Sequence, residues 1–276
     1  MQRKLYLQKQ ENVDVVFIAM HGRFGEDGTL QEILENASIP YTGSGPKASR
    51  LAMDKVAARI VFEQFNIPVP RYRVFENSLL CKINLDDLDA LGFPLVIKPA
   101  SSGSSIGVSI VTTKEDLMSA IELAFNHDER IIIEEYLQGR ELTVGILEDE
   151  PLAPVEIIPR VKFFDYQAKY TPGLTDYRVP AQLPTDIYEK VQDVALHAHR
   201  SLGCRAFSRV DMILKDNSIP CVLEINTIPG LTQTSLLPKA ANAKNISFLE
   251  LCIRVISLAS HPALNNSENE KEKINL

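Results

Sequence analysis

Nowhere in this chain do apolar residues run for the roughly 18 positions that a membrane-spanning helix needs. The polar start Met1-Gln-Arg-Lys also lacks the apolar core of a signal peptide. No membrane partner is therefore expected. Basic residues are in deficit: 29 Lys+Arg against 36 Asp+Glu leave a net charge of −7. A nucleic-acid binder would carry a basic face instead. Cysteine is scarce as well, and Cys81, Cys204, Cys221 and Cys252 show no CxxC spacing. That argues against a zinc or disulfide framework and suits reduced thiols in a cytoplasmic protein. His197 and His199 stand two apart on a predicted helix, so they do not share a face and read as surface or packing residues. There is no internal repeat. What is present is an ordinary globular composition, 45% hydrophobic and 24% charged, over 276 residues. That length supports a large core divided into two or three lobes.

The most informative segments are Arg209-Val-Asp-Met-Ile-Leu and Cys221-Val-Leu-Glu-Ile-Asn226, which alternate as strands do. The polar turn Lys215-Asp-Asn-Ser joins them, so they read as a β-hairpin. Folded about Asn217/Ser218, the hairpin sets Asp211 opposite Glu224 and Arg209 opposite Asn226, all four on one face. Two carboxylates and an amide oxygen converging there would repel one another without a hard cation between them. Oxygen ligands of this kind suit Mg²⁺. An exposed hairpin with a solvated charged face fits less well, because Val210, Met212, Ile213, Val222, Leu223 and Ile225 flank the polar residues.

Upstream, Asp14–Met20 is a short apolar run expected to be a buried parallel strand. It ends in the Gly-rich, charged loop His21-Gly-Arg-Phe-Gly-Glu-Asp-Gly, the position at which open α/β sheets bind ligands. A helix is expected over Thr29–Asn36 and a second over Ser49–Phe65, with Ser49 as its N-cap. Strands follow at Phe93–Pro99, Val108–Val111, Arg130–Leu137, Glu141–Leu147 and Pro154–Pro159, with a helix at Glu115–Phe125. The irregular stretch Lys162–Pro180 has the length of a lid or binding loop. Helices at Asp186–Leu202 and Ile246–Ala259 complete the pattern, and the polar tail from Asn265 is expected to be disordered.

Lys98 closes an apolar strand directly before the loop Ser101–Gly107. Small residues let backbone N–H groups approach phosphate oxygens, and an ammonium nearby neutralises charge. No Gly-Lys-Ser/Thr follows, so this is not a Walker A loop. Taken alone, a flexible hairpin tip explains it equally well. Gly43-Ser-Gly-Pro-Lys-Ala48 matches a dinucleotide fingerprint only loosely, since Pro46 sits inside it. Lys55, Glu134, Glu135 and Glu141 are each unremarkable singly. Lys169-Tyr170 joins a cation to a phenol inside the long loop, as a lid over a charged substrate would.

In order, the blocks HGRFGEDGTLQ, IPYTGSG, MDK, VIKPASSGSSIGVS, EEYLQGRELTVGIL, FFDYQAKY, SRVDMIL and LEINTIPGLTQTSLLPKAA span about Val13 to Ala259. In this order they resemble the D-alanine–D-alanine ligases of the ATP-grasp superfamily. The resemblance implies an α/β fold with a shortened N-terminal open α/β lobe over residues 1–48. Central and C-terminal lobes over 49–140 and 141–262 would clasp ATP, and 263–276 would form the tail. It further implies that Lys55 and Lys98 contact the ATP phosphates beneath the loop holding Ser104 and Ser105. Glu134 with Tyr136 and Leu137 would bind adenine, and Glu141 the ribose. Asp211, Glu224 and Asn226 would hold two Mg²⁺ ions, replaceable by Mn²⁺. Arg209 and the N–H of Gly230 would stabilise an oxyanion, and Ser235 with Leu236 would receive the carboxylate of the second D-alanine. His21 would lie near the first, and Lys169 and Tyr170 would belong to the closing loop. Members that make an ester with D-lactate replace that tyrosine, so Tyr170 implies the dipeptide. A homodimer fits the habit of the family.

Members of that family open with a strand, a Gly-rich loop bearing a glutamate, and a helix. Only twelve residues precede Val13 here, and such a β-α unit takes on the order of 30. The expectation is a first lobe short of that unit. A late start codon, a retired copy, or replacement of the glutamate by Glu26 or a partner chain are the alternatives.

Overall fold

Two antiparallel sheets face each other across the centre of the molecule. A computed structural model describes residues 13–78, 88, 90–103, 106–160 and 175–259. The smaller sheet has the order β1-β4-β2-β3, formed by β1 (Tyr72–Glu76), β2 (Leu95–Pro99), β3 (Ser109–Val111) and β4 (Arg130–Glu135). The larger has the order β10-β9-β5-β7-β8, with β6 (Glu150–Pro151) paired to β5 (Gly139–Leu147). Its other strands are β7 (Val155–Pro159), β8 (Thr175–Arg178), β9 (Phe207–Lys215) and β10 (Ile219–Asn226).

Alternation decides what each sheet face does. On β9 the buried residues Val210, Met212 and Leu214 pack against α2 (Pro46–Met53), α3 (Lys55–Gln64) and α5 (Thr185–Ser201), through Ala52, Phe62, Val191 and Ala195. Arg209, Asp211 and Ile213 consequently face the other way. In the smaller sheet, Leu95, Ile97, Ile131 and Ile133 pack against α4 (Leu117–Phe125), which leaves Val96, Lys98 and Glu134 on the opposite face. A third cluster joins Ile18, Leu34 and Tyr41 to Phe207, Ile228, Leu237 and Val255. It ties α1 (Thr29–Asn36) to α6 (Leu236–Asn242) and α7 (Phe248–Ser257). No helix among the described residues is long and apolar enough to cross a membrane.

Several expectations need correction. The predicted helix from Ser49 to Phe65 is two helices. Pro46 opens α2, where its missing N–H costs nothing. Asp54 then leaves helical geometry and caps α3 by accepting from the N–H groups of Val56 and Ala57. Gly45, not Ser49, precedes the first turn. The strand expected over Asp14–Met20 is a single parallel bridge, Val16 to Tyr41. Ile18 is buried as expected, but its N–H donates to the Thr42 hydroxyl instead of a strand partner. Within the stretch read as irregular, β8 pairs with β7; residues 161–174 lie outside the described residues. β1 and α6 were not anticipated.

His199 is buried with Nδ1 2.7 Å from the Ser208 hydroxyl, while His197 packs edge-on against Phe65. Burial is the main force pushing His199 down to about 4, against the pull of Asp149. The unfolded chain protonates this histidine near its ordinary 6.5, and the folded chain does not until about 4. Stability is thus lost as pH falls through that window, by up to about 3 kcal/mol. In His199→Gln the extra loss of melting temperature between those pH values should disappear; an unchanged slope would exclude His199 as its source.

Candidate functional site

The cavity between the two sheets holds about 450 Å³ and is lined by Lys55, Lys98 and Glu134 on one side and by Asp211, Leu223 and Glu224 on the other. That size suits a small-molecule site.

Its geometry depends on one irregularity. Near the turn, Ile219 pairs with Lys215 and Val222 with Met212, but Glu224 pairs with Asp211 and Asn226 with Arg209. Leu223 is therefore an extra residue, a β-bulge. Without it Glu224 would lie opposite Val210 and point into the helix-packed core. The expected cross-strand pairs are correct, but the turn about Asn217/Ser218 does not produce them. Asp216 and Asn217 both take positive φ, the Ser218 N–H donates to the Lys215 carbonyl, and the bulge restores the offset.

Asp211 is held on several sides. Arg209 donates to its two oxygens at 2.9 and 2.8 Å, Asn226 Nδ2 donates at 3.0 Å, and the Thr143 hydroxyl at 2.6 Å. Burial opposes the charge of Arg209, yet Asp211, Glu224 and Glu26 together hold its pKa above the ordinary value. Glu224 lies 3.4 Å from Lys55 Nζ, which also donates to the Ser102 carbonyl. Lys55, unremarkable in the sequence taken singly, is buried by the fold. Among the described residues no group of three or more His, Cys, Asp or Glu side chains is placed to hold a metal ion. The oxygen donors on this face are two carboxylates and one amide, a set that fits a hard cation also drawing ligands from a substrate.

Across the cavity, Glu134 is 3% exposed and sits between two cations. Lys98 Nζ lies 2.6 Å from one oxygen and Arg59 Nη2 2.7 Å from the other. Burial drives the Lys98 pKa down, against the pull of Glu134, with Arg59 and Lys55 pushing the same way as burial. Arg59, fully buried on α3, also reaches the Leu223 carbonyl at 3.4 Å, so it joins the smaller sheet to the bulge. It was missed in the sequence. Its signal was an arginine on the same helix face as the buried Val56 and Phe62.

The remaining candidates divide. Tyr136, Leu137 and Glu141 line the cavity. His21 Nδ1 lies 2.9 Å from the Ile228 carbonyl, which brings the first loop to the segment after β10. There Gly230 packs so closely on Ser235 that a Cβ would come within 2.9 Å of its hydroxyl, and Leu236 opens α6. Glu26 also faces this group. Burial raises its pKa against the Gly22 N–H that it accepts and the nearby His21, with Glu224 adding to the rise. Ser104, Ser105, Lys169 and Tyr170 lie outside the described residues.

The model of the D-ala D-ala ligase C-terminus matches residues 61–257, and that of the D-ala D-ala ligase N-terminus matches residues 1–44. A D-alanine–D-alanine ligase of Syntrophotalea carbinolica is 47% identical over 252 residues, covering 91% of this chain and 81% of that protein. The crystal structure of a D-alanine–D-alanine ligase from Bacillus anthracis superposes with a TM-score of 0.83 at 39% identity, over 94% of this chain and 83% of that one. Its counterpart complexed with ATP gives 0.81 at 36% identity, over 93% and 81%.

Replacing Glu134 with alanine should cost about 3–5 kcal/mol, because Arg59 and Lys98 lose their shared counter-charge in a dry site. Loss of the Lys98 proton caps the cost. Urea unfolding would register this as a lower midpoint at unchanged slope; a midpoint within error of the parent would refute the shared-counter-charge account.

Proposed function

This chain belongs to the D-alanine–D-alanine ligase family, and we propose that it joins two D-alanines to D-alanyl-D-alanine at the expense of ATP, for peptidoglycan precursor synthesis. The observation that carries the reading is the alignment of Arg209, Asp211, Glu224 and Asn226 on one strand face, across a single cavity from Lys55, Lys98 and Glu134.

The chemistry explains the residue types. A carboxylate is a poor electrophile, and its oxygen leaves badly. Transfer of the γ-phosphoryl of ATP to the first D-alanine gives an acyl phosphate, which the amine of the second then attacks with loss of phosphate. Phosphoryl transfer needs positioning and neutralisation of charge. Lys55 and Lys98 would supply cations to the phosphates, with Glu134, Tyr136 and Leu137 at the adenine and Glu141 at the ribose. Asp211, Glu224 and Asn226 would hold Mg²⁺, which would supply positive charge to offset that of the phosphates. Arg209, fixed by its two bonds to Asp211, and the N–H of Gly230 would face the oxygen that becomes negative in the tetrahedral adduct. His21 would stand beside the first D-alanine, and Ser235 with Leu236 beside the carboxylate of the second.

Incubation with ATP, Mg²⁺ and D-alanine should release ADP together with a product of the mass of D-alanyl-D-alanine. Nucleotide binding without D-alanine-dependent ADP release would overturn the reading. Arg209→Lys keeps the charge but loses the planar fork, and kcat should fall about 10²–10³-fold with a much smaller change in KM for ATP. A kcat near that of the parent would remove Arg209 from the reaction.

A further inference from the structure

The loop from Ser101 to Gly107 is fastened at both described ends by residues of the turn between α4 and β4. Asp128 Oδ2 accepts from the Ser101 N–H at 2.7 Å, and its other oxygen accepts from the Arg130 N–H at 3.2 Å. The far end is closed by shape. Gly107 has a φ of +71°, and a Cβ there would come within 2.7 Å of the His127 ring and 2.9 Å of Pro99. Ser101 and Gly107 therefore rest on Asp128 and His127.

The residue that follows this turn reaches the N-cap of α3. Arg130 Nη2 donates to Asp54 Oδ2 at 2.5 Å, while the other Asp54 oxygen caps α3. Ala100 completes the circuit, since its carbonyl accepts from the Lys55 N–H and its N–H donates to the Arg130 carbonyl, both at 2.9 Å. The end of β2 with Lys98, the start of the loop and the start of α3 with Lys55 are thus bonded into one ring. Asp128 and Asp54 both act on the Arg130 guanidinium, Asp54 the more strongly. That cation offsets the carboxylate charge they place near a site meant for an anion.

We propose that Asp128 is a positioning residue for the phosphates of ATP, acting through the Ser101 N–H to fix where the glycine-serine loop leaves β2 beside Lys55 and Lys98. This rests on the ligase reading above. The Ser101 N–H is committed to Asp128, so the loop's donors to phosphate begin after it. Asp128 is not among the residues that line the cavity.

The test compares the affinities of ATP and adenosine, measured by calorimetry on the full chain. Adenosine shares the base and ribose contacts but has no phosphates for the loop to meet. Asp128→Ala should weaken ATP about tenfold, the change expected for a lost bond to a charged acceptor, and leave adenosine unchanged. Asp128→Asn retains one acceptor oxygen where the carboxylate uses two, so it should shift the ATP-to-adenosine ratio by less. Should the alanine variant not fold, the asparagine variant decides by the same ratio. Equal losses for both ligands, or no change for either, overturn the positioning role while leaving the ligase reading intact. A parent chain that binds neither ligand overturns both.

Discussion

Side chains alternate along a strand with a period of two, so a single inserted residue decides which face receives everything beyond it. At Leu223 that constraint is used once, and the candidate site depends on it. Below the bulge, Met212 and Val222 pair within the helix-packed side of the sheet; above it, Asp211, Glu224, Arg209 and Asn226 share the cavity face. The helices α2, α3 and α5 can then cover an unbroken apolar surface while four polar side chains collect on the other side. Arg59 reinforces the arrangement, since its guanidinium spans from Glu134 in the smaller sheet to the carbonyl of the bulged residue.

The two walls of the cavity handle charge differently. On the larger sheet each carboxylate has a cation at hand, Arg209 for Asp211 and Lys55 for Glu224. On the smaller sheet one carboxylate serves two buried cations, and burial, with Arg59 and Lys55 adding to it, holds the Lys98 pKa below its ordinary value. An arriving polyanion would meet a wall short of negative charge. That charge balance fits the phosphate contacts proposed for Lys98 and Lys55, and the ring of bonds through Arg130, Asp54 and Ala100 keeps the two lysines in fixed relation.

Much of this was legible in the sequence. Strict alternation in SRVDMIL and CVLEIN announced the hairpin, and the 3.6-residue pattern announced α1, α4, α5 and α7. The limits were physical as well. Helix periodicity continues smoothly through Met53-Asp-Lys, so the break at Asp54 was hidden, although aspartate before an apolar run is a capping signal. The apolar run from Asp14 to Met20 looked like a strand because burial and strand pairing leave the same trace in composition. Here only Val16 pairs. Arg59 showed only as a charge on an apolar helix face and Asp128 as an ordinary charged side chain, since the partner of each comes from another element.

The sequence by itself determined the chemical inventory and its local order. It supplied a lysine directly before a glycine-serine loop, an acidic strand end, and a hairpin whose polar residues fall at even spacing, because strand and turn preferences act over a few neighbouring residues. Only the tertiary structure decided that Glu134 would be enclosed by Lys98 and Arg59, and that Asp128 would hold the loop from a turn 27 residues away. It also decided that the two sheets would set their polar faces against each other across one cavity. Those outcomes depend on burial, and burial is a property of how separate elements pack. It lowers the dielectric around a charge and so gives each ion pair a strength that no spacing along the chain can report.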